Sequence, residues 1–370
     1  MSITVSTPSR LCLFGEHLDY LSLEVVTMAV NLRFYACIDK RNDGLVKVRI
    51  KDSSINTLNQ VNVDHKYEEI IFNAGETITY RHHRDYFRSA VNVIKKRGYD
   101  VSCGFDVIMD SEIPIGKGMC SSSTMIVAFI KAVLEVIDAD IKDSRDDIVE
   151  MAYQAEVAEF NEPGGKMDHI ASVYGGICHF DFESISHPVV QTLHDIPEGD
   201  FILVDSNEQK DTIKVLRNAK EPVIKALKDL PSIREMYGNR EFDEKISHLE
   251  ENLKIPLMAA MNNYAILKQF LEGHENHMID DSQFGALLKN HHQNLNEGLG
   301  ISTVAIEKIL SLAYEHGALG GKINGSGGGG CCYVFCKKEK TKEIISAINQ
   351  AGYQTKVVIP AEGVKVEEKI

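Results

Sequence analysis

The chain has 370 residues, of which 44% are apolar and 25% charged, and a formal net charge of −14. That length is enough for two lobes, each with its own core, and the composition is that of an ordinary globular protein. The acidic balance argues against nucleic acid as the main partner, and no apolar run reaches the roughly 20 residues that span a bilayer, so neither nucleic acid nor membrane is expected as a partner.

Met1 to Ser6 lack the basic start and apolar core of a secretory leader. An apolar strand then runs to Gly15, and Glu16, His17, Asp19 and Tyr20 follow within five residues. Loops after strands commonly carry binding groups. Carboxylates accept hydrogen bonds from hydroxyls in fixed directions, which suits a sugar; a solvated turn is the plain alternative. Residues 23–38 and 45–50 are rich in β-formers, with a turn signal at 41–44 between them. An amphipathic helix is expected over 86–97, stopped by Gly98, and a strand over 103–109.

That strand leads into a segment that contains Pro114, Gly116, Lys117, Gly118, Cys120, Ser121, Ser122, Ser123 and Thr124, and a long apolar helix over 121–138 follows without a break. Glycines let backbone approach a ligand closely, and the unpaired N–H groups and positive end of a helix attract an anion. The serines equally suit a plain helix cap. The pattern is neither a Walker A loop nor a Rossmann fingerprint, because Lys117 sits between the glycines and a third glycine is missing.

A helix is expected over 146–160, with Glu156 on it. A Pro-Gly-Gly turn at 163–165 then precedes Asp168 at the start of another apolar segment. Taken alone, Glu156 reads as a surface charge and Asp168 as an N-cap. Strands follow over 175–182 and 201–205, and a domain boundary is expected between 185 and 210. From about 210 to 315 helical periodicity and charge dominate. The segment 322–337 returns to a Gly-rich turn, with five glycines in the six positions from Gly325 to Gly330, and an apolar strand. A helix over 339–351 and a last strand over 354–359 complete the pattern. The eight cysteines show no Cys-x-x-Cys spacing, so reduced cytoplasmic thiols are expected. Cys331, Cys332 and Cys336 read as core packing in preference to metal ligation.

Together the runs Arg10 to Tyr20, Pro114 to Ser123 and Gly325 to Gly330 resemble, in order, the three motifs of the GHMP kinases, over nearly the whole chain. The Glu16-His17-x-Asp19-Tyr20 run is similar to the sugar-binding signature of the galactokinase branch. Arg10 stands where sugar kinases of the family carry Arg and mevalonate kinases carry Lys. The resemblance implies an α+β fold of two lobes. Residues 1–195 would form a ribosomal-protein-like N-terminal lobe with a left-handed βαβ crossover, and 196–370 a ferredoxin-like C-terminal lobe. It implies an ATP-dependent phosphotransferase with an alcohol acceptor, acting on the anomeric hydroxyl of galactose or a related sugar.

By resemblance, Asp168 and Arg10 are catalytic. The Arg would steady the transferring phosphoryl, and an Asp beside it suits orientation of the hydroxyl more than strong basicity. Glu16, His17, Asp19 and Tyr20 would hold the sugar. Pro114, Gly116, Lys117, Gly118, Cys120, Ser121, Ser122 and Ser123, with Gly325, Gly327 and Gly328, would bind ATP. Ser122 and Glu156 would hold Mg²⁺. A monomer or homodimer is expected.

The sequence departs from galactokinases after Tyr20, where Leu21-Ser22-Leu23 replaces Asn-x-Gly. Gly164-Gly165-Lys166 before Asp168 looks more like heptose- or fucose-type kinases. Val204-Asp205-Ser206 looks like the family's strand end, but the His expected soon after is absent from 207–210. Lys117 or Lys166 would suit an anionic sugar group, an ATP phosphate or solvent. A uronic acid, a heptose, a fucose-type sugar, mevalonate, or a non-catalytic sugar and ATP sensor are the alternatives.

Overall fold

The structure is a computed structural model that describes residues 2–51, 67–184, 188–194 and 196–369. Among these the strands are β1 (Ser2–Phe14), β2 (Val25–Lys40), β3 (Leu45–Lys51), β4 (Tyr67–Asn73), β5 (Phe105–Ser111), β6 (Ile177–Asp181), β7 (Val189–Thr192), β8 (Asp200–Asp205), β9 (Gly320–Ile323), β10 (Cys331–Cys336), β11 (Gln354–Val358) and β12 (Lys365–Lys369). The helices are α1 (Tyr86–Lys96), α2 (Ser121–Val136), α3 (Arg145–Glu156), α4 (Met167–Tyr174), α5 (Thr212–Ala226), α6 (Ile233–Met236), α7 (Asp243–Ser247), α8 (Glu251–Glu275), α9 (Asp281–Gln293), α10 (Val304–Glu315) and α11 (Thr341–Gln350).

The first sheet runs β12-β1-β2-β5-β3-β4, and β6 continues from β2 to β7. β3 and β5 are parallel, so the chain must cross over between them, and α1 lies in that crossover. β2 is buried along most of its length because it pairs with β1 on one side and with β5 and β6 on the other. α2 is apolar nearly all round because it packs against β1, β2 and α3 together.

The second sheet runs β11-β8-β10-β9, all antiparallel. With helices between β8 and β9 and α11 between β10 and β11, this is the split βαβ order of a ferredoxin-like unit. Alternation along its strands serves two cores. Phe201, Leu203, Tyr333 and Phe335 face the large core shared with the first sheet. Ile202, Val204, Cys332 and Val334 face a second core with residues of α10 and α11. Phe14, at the end of β1, stacks on Phe270 of α8 at 4.6 Å between ring centres.

Most expected elements are present, with three differences. α3 stops at Glu156, and a separate turn of 3₁₀ helix covers Ala158–Phe160. β4 and β7 carry no strong sequence signal. The strand at 354–359 is not the last, because β12 follows and pairs with β1. β12 reads Lys-Val-Glu-Glu-Lys, a charged edge strand without an apolar run. The expected boundary at 195 falls on Asp195, which with 185–187 lies outside the described residues.

The segment joining β11 to β12 straps the second unit to the first. Gly176 N–H donates to the Ala361 carbonyl at 2.7 Å, and Ala361 N–H donates to the Ala29 carbonyl at 2.9 Å. The Arg33 guanidinium donates to the carbonyls of Ser6, Glu362 and Gly363 at 3.1, 2.9 and 2.8 Å. Val364 N–H donates to the Val173 carbonyl at 3.3 Å, which braces the C-terminal end of α4.

Candidate active site

A cleft of about 320 Å³ lies where β1, α2, α4 and the loops of the second unit meet. Arg10 and Asp168 stand in it. Arg10 Nε donates to Asp168 Oδ1 at 2.8 Å, Nη2 lies 2.7 Å from the same oxygen, and Nη1 donates to the Gly118 carbonyl at 3.1 Å. Burial, the largest single influence, would push the guanidinium pKa down, but the Asp168 charge and hydrogen bond, together with the nearby Cys120 and Cys12, outweigh it and the pKa rises. Asp168 is the second residue of α4, whose N-cap is Lys166, so it is not an N-cap carboxylate. Its side chain is held by Arg10, 158 residues away in sequence.

Gly116 and Gly118 both have positive φ, +70° and +81°, and line the cleft. A Cβ on Gly116 would meet nothing within 4 Å, so its backbone faces open space. A Cβ on Gly118 would lie 2.6 Å from the Asn324 carbonyl oxygen. α2 begins after Cys120, which has φ +47°, and no side chain caps it or puts an acid in its first turn. The hydroxyls of Ser122 and Ser123 instead reach the Glu156 carboxylate, which is buried and whose Oε2 lies 2.7 Å from His169 Nε2. Burial pushes the Glu156 pKa up, but His169 and the two hydroxyls outweigh it and hold it below the ordinary value. Of the two readings of this loop, the plain serine cap is excluded. An uncapped, positive helix end faces the cleft.

At the other end of the cleft, Asp19 lies directly against Gly165, where a Cβ would collide with its Oδ2. Burial and the nearby Asp168 charge push the Asp19 carboxyl up to about 6. His17 Nδ1 and the Tyr20 hydroxyl are 2.8 Å apart, and Nε2 is 3.2 Å from the Ser326 carbonyl. The carbonyl requires the proton on Nε2, so Nδ1 accepts from Tyr20. Burial pushes the His17 pKa down to about 4, and the ring is neutral near pH 7. Glu16 also lines the cleft, but both of its oxygens are engaged. Oε1 accepts from Gly325 N–H and Oε2 pairs with the buried Lys322 ammonium.

Some expected site residues stand elsewhere. The Lys117 ammonium is 3.1 Å from Asp205 Oδ1 and donates to the Glu208 carbonyl at 3.0 Å, so it ties the loop to the second unit and is turned from the cleft. Its assignment to ATP is corrected on that geometry. Lys166 donates to Glu150 Oε2 at 2.7 Å and lies over the Tyr153 ring, which removes it as a partner for an anionic sugar group. Pro114, Gly327 and Gly328 are not in the cleft wall. Gly327 packs on Ile301 and Gly328 on Val215.

The sequence reading missed three residues. Asn324 joins all the motif loops: its Oδ1 accepts from Cys12 N–H at 3.0 Å, and its Nδ2 donates to the Gly118 carbonyl at 2.9 Å. Lys322 donates to the Cys12 carbonyl at 2.9 Å as well as to Glu16. Lys210 lines the cleft from the loop between β8 and α5. Its one sequence signal is its place between the end of a strand and the start of a helix.

An anion cradle at a helix start, facing a carboxylate steadied by an arginine, is what phosphoryl transfer from ATP to an alcohol requires. The class is that of the small-molecule kinases. Residues 85–176 match the GHMP kinases N terminal domain, 266–354 the GHMP kinases C terminal domain, and 2–40 the galactokinase galactose-binding signature. The chain belongs to the GHMP kinases, a family that uses ATP. It is 26% identical to a mevalonate kinase of Thermococcus onnurineus, over 100% of this chain and 99% of that one. It is 23% identical to a galactokinase of Streptococcus mutans, over 97% and 91% of the two chains. The crystal structure of Lactococcus lactis galactokinase complexed with galactose superposes with a TM-score of 0.82 at 18% identity, covering 98% of this chain and 95% of that one. Among the described residues no helix is long and apolar enough to cross a membrane.

Proposed function

We propose that this kinase transfers the γ-phosphoryl group of ATP to the anomeric hydroxyl of galactose or a related neutral sugar. The observation that carries the reading is the acceptor end of the cleft. There Asp19, His17 and Tyr20 stand beside the Asp168–Arg10 pair. Carboxylate and phenol groups suit a ring of hydroxyls, whereas an acceptor carboxylate would set its charge against Asp19 and Asp168. The match to the galactose-binding signature over 2–40 supports the same choice.

In this reading the ATP phosphates lie at the start of α2, against the backbone of Gly116 and the N–H groups of Ser121 to Ser123. Asp168 orients the acceptor hydroxyl and receives its proton, and Arg10 holds Asp168 in place while its charge faces the transferring group. Ser122 and Glu156 are the residues to hold Mg²⁺. The set is all oxygen, Glu156 is fixed by His169, and two protein ligands suffice for an ion that keeps its waters. Bound there, Mg²⁺ would neutralise phosphate charge. Asp19 and Tyr20 hold the sugar, His17 fixes the Tyr20 hydroxyl through Nδ1, and Glu16 acts through Gly325 as a strut.

The second reading is mevalonate as acceptor, favoured by the 26% identity to mevalonate kinases over the whole chain. ADP release measured across hexoses, pentoses, uronic acids, heptoses and mevalonate, with the product position read by NMR, separates the two. Turnover of a neutral sugar at C1 is the expected result. Turnover of mevalonate alone would install the second reading, and ATP and sugar binding without transfer would install a sensor.

A further inference from the structure

The loop between β8 and α5 carries Lys210 into the cleft. Its ammonium donates to Ser326 Oγ at 2.9 Å. It lies so near the phosphate loop that a Cβ on Gly118 would meet Nζ at 2.7 Å. Among the described residues no carboxylate forms an ion pair with it. Arg10, Asp168, His17 and Cys331 are its charged or titratable neighbours. Burial, reinforced by the Arg10 charge, holds its pKa down at about 8, so it is still mostly protonated near neutrality.

An ammonium has three N–H donors, and a hydroxyl partner uses one. Withdrawing such a charge from water is costly unless an anion arrives. The position selects the anion. Lys210 sits between Gly118, beside the start of α2, and Ser326, whose carbonyl faces His17 of the acceptor end. That is the junction of the nucleotide and acceptor ends, where a transferring group passes.

We propose that Lys210 contacts the γ-phosphoryl oxygens of ATP and stays with that group as it moves to the acceptor. In the step, the bond from the γ-phosphorus to the β,γ-bridging oxygen breaks and its electron pair leaves on ADP. The acceptor oxygen forms the new bond to phosphorus and its proton passes to Asp168. Lys210 keeps its proton and contributes charge alone. The proposal rests on the kinase reading but not on which acceptor is used.

The test compares binding of Mg²⁺-β,γ-imido-ATP and of Mg²⁺-ADP to wild type, Lys210→Met and Lys210→Arg by calorimetry, with circular dichroism to verify folding. Lys210→Met is expected to lose about 10-fold or more in affinity for the ATP analogue, as befits a charged hydrogen bond, while ADP affinity stays within about twofold. Lys210→Arg should recover most of the loss. Equal weakening of both nucleotides, or weakening of neither, overturns the proposal. If Lys210→Met does not fold, Lys210→Gln is measured by the same criteria. Failure of wild type to bind either nucleotide would instead refute the kinase reading, and these measurements need no acceptor.

Discussion

Gly118 and Gly325 meet backbone to backbone beneath the cleft. A Cβ on Gly325 would lie 2.7 Å from the Gly118 carbonyl oxygen, and one on Gly118 would lie 2.6 Å from the Asn324 carbonyl oxygen. Both residues have positive φ. These glycines hold two loops together that are over 200 residues apart, while Gly116 has open space before it in the cleft wall.

The two kinds of glycine should therefore respond differently to alanine. Gly118→Ala and Gly325→Ala are expected to lose about 3 kcal/mol of stability, from left-handed strain plus a backbone clash. Gly116→Ala should lose only about 1 kcal/mol, from strain alone, yet raise the KM for ATP. Denaturant unfolding and steady-state kinetics on the three variants check this. Equal stability losses would contradict the division.

Asp168→Asn keeps the shape of the side chain and removes the proton acceptor. Its kcat should fall by about 10²–10⁴-fold while sugar affinity changes little. Comparing turnover with sugar affinity by calorimetry decides it, and an unchanged kcat would remove Asp168 from the chemistry.

Asp19 should exchange stability for function. Its folded pKa, about 6, is raised by burial and Asp168, against the opposing charges of Lys220 and Arg10. A raised carboxyl pKa means the folded state binds the proton more tightly than the unfolded one. The resulting stabilisation is full below the unfolded value and is lost as pH rises through about 6. Asp19→Asn should therefore be more stable than wild type at pH 7.5, by about 1–3 kcal/mol, with the gain vanishing near pH 4. The same change should raise acceptor KM and abolish a fall in kcat/KM for the acceptor below about pH 6 in wild type. Thermal melts across pH and acceptor kinetics test both halves.

Glu16 and Lys322 form a buried ion pair under the acceptor loop. Glu16→Gln leaves the ammonium without its counter-charge and should destabilise the protein by about 3 kcal/mol. Adding Lys322→Met should recover part of that loss, a coupling that a double-mutant cycle measures. A loss in acceptor affinity with no loss of stability would show that Glu16 binds the sugar directly.

Much of this protein was legible without coordinates. The three motif runs are local patterns, and a strand end, a helix start and a glycine turn each leave their mark in a few neighbouring residues. Arg10, Asp19 and Ser122 lie in those runs, whereas Glu156 and Asp168, read alone as a surface charge and an N-cap, are singled out only by the family resemblance; most of the strands and helices follow from periodicity. The partners of these side chains could not be read the same way, because each partner comes from a remote segment. Lys117 looked like a phosphate ligand by its neighbours, yet Asp205 of β8 takes its charge. Glu16 looked like a sugar ligand, yet Lys322 and Gly325 occupy it. Lys210 had no pattern around it and acquires meaning only beside Gly118 and Ser326. β12 was invisible because a charged edge strand has no apolar signature, and only the strap from β11 delivers it to β1. Short-range sequence encodes which chemistry a loop can offer. Packing between distant segments decides which of those groups are taken up within the protein and which are left facing the cleft.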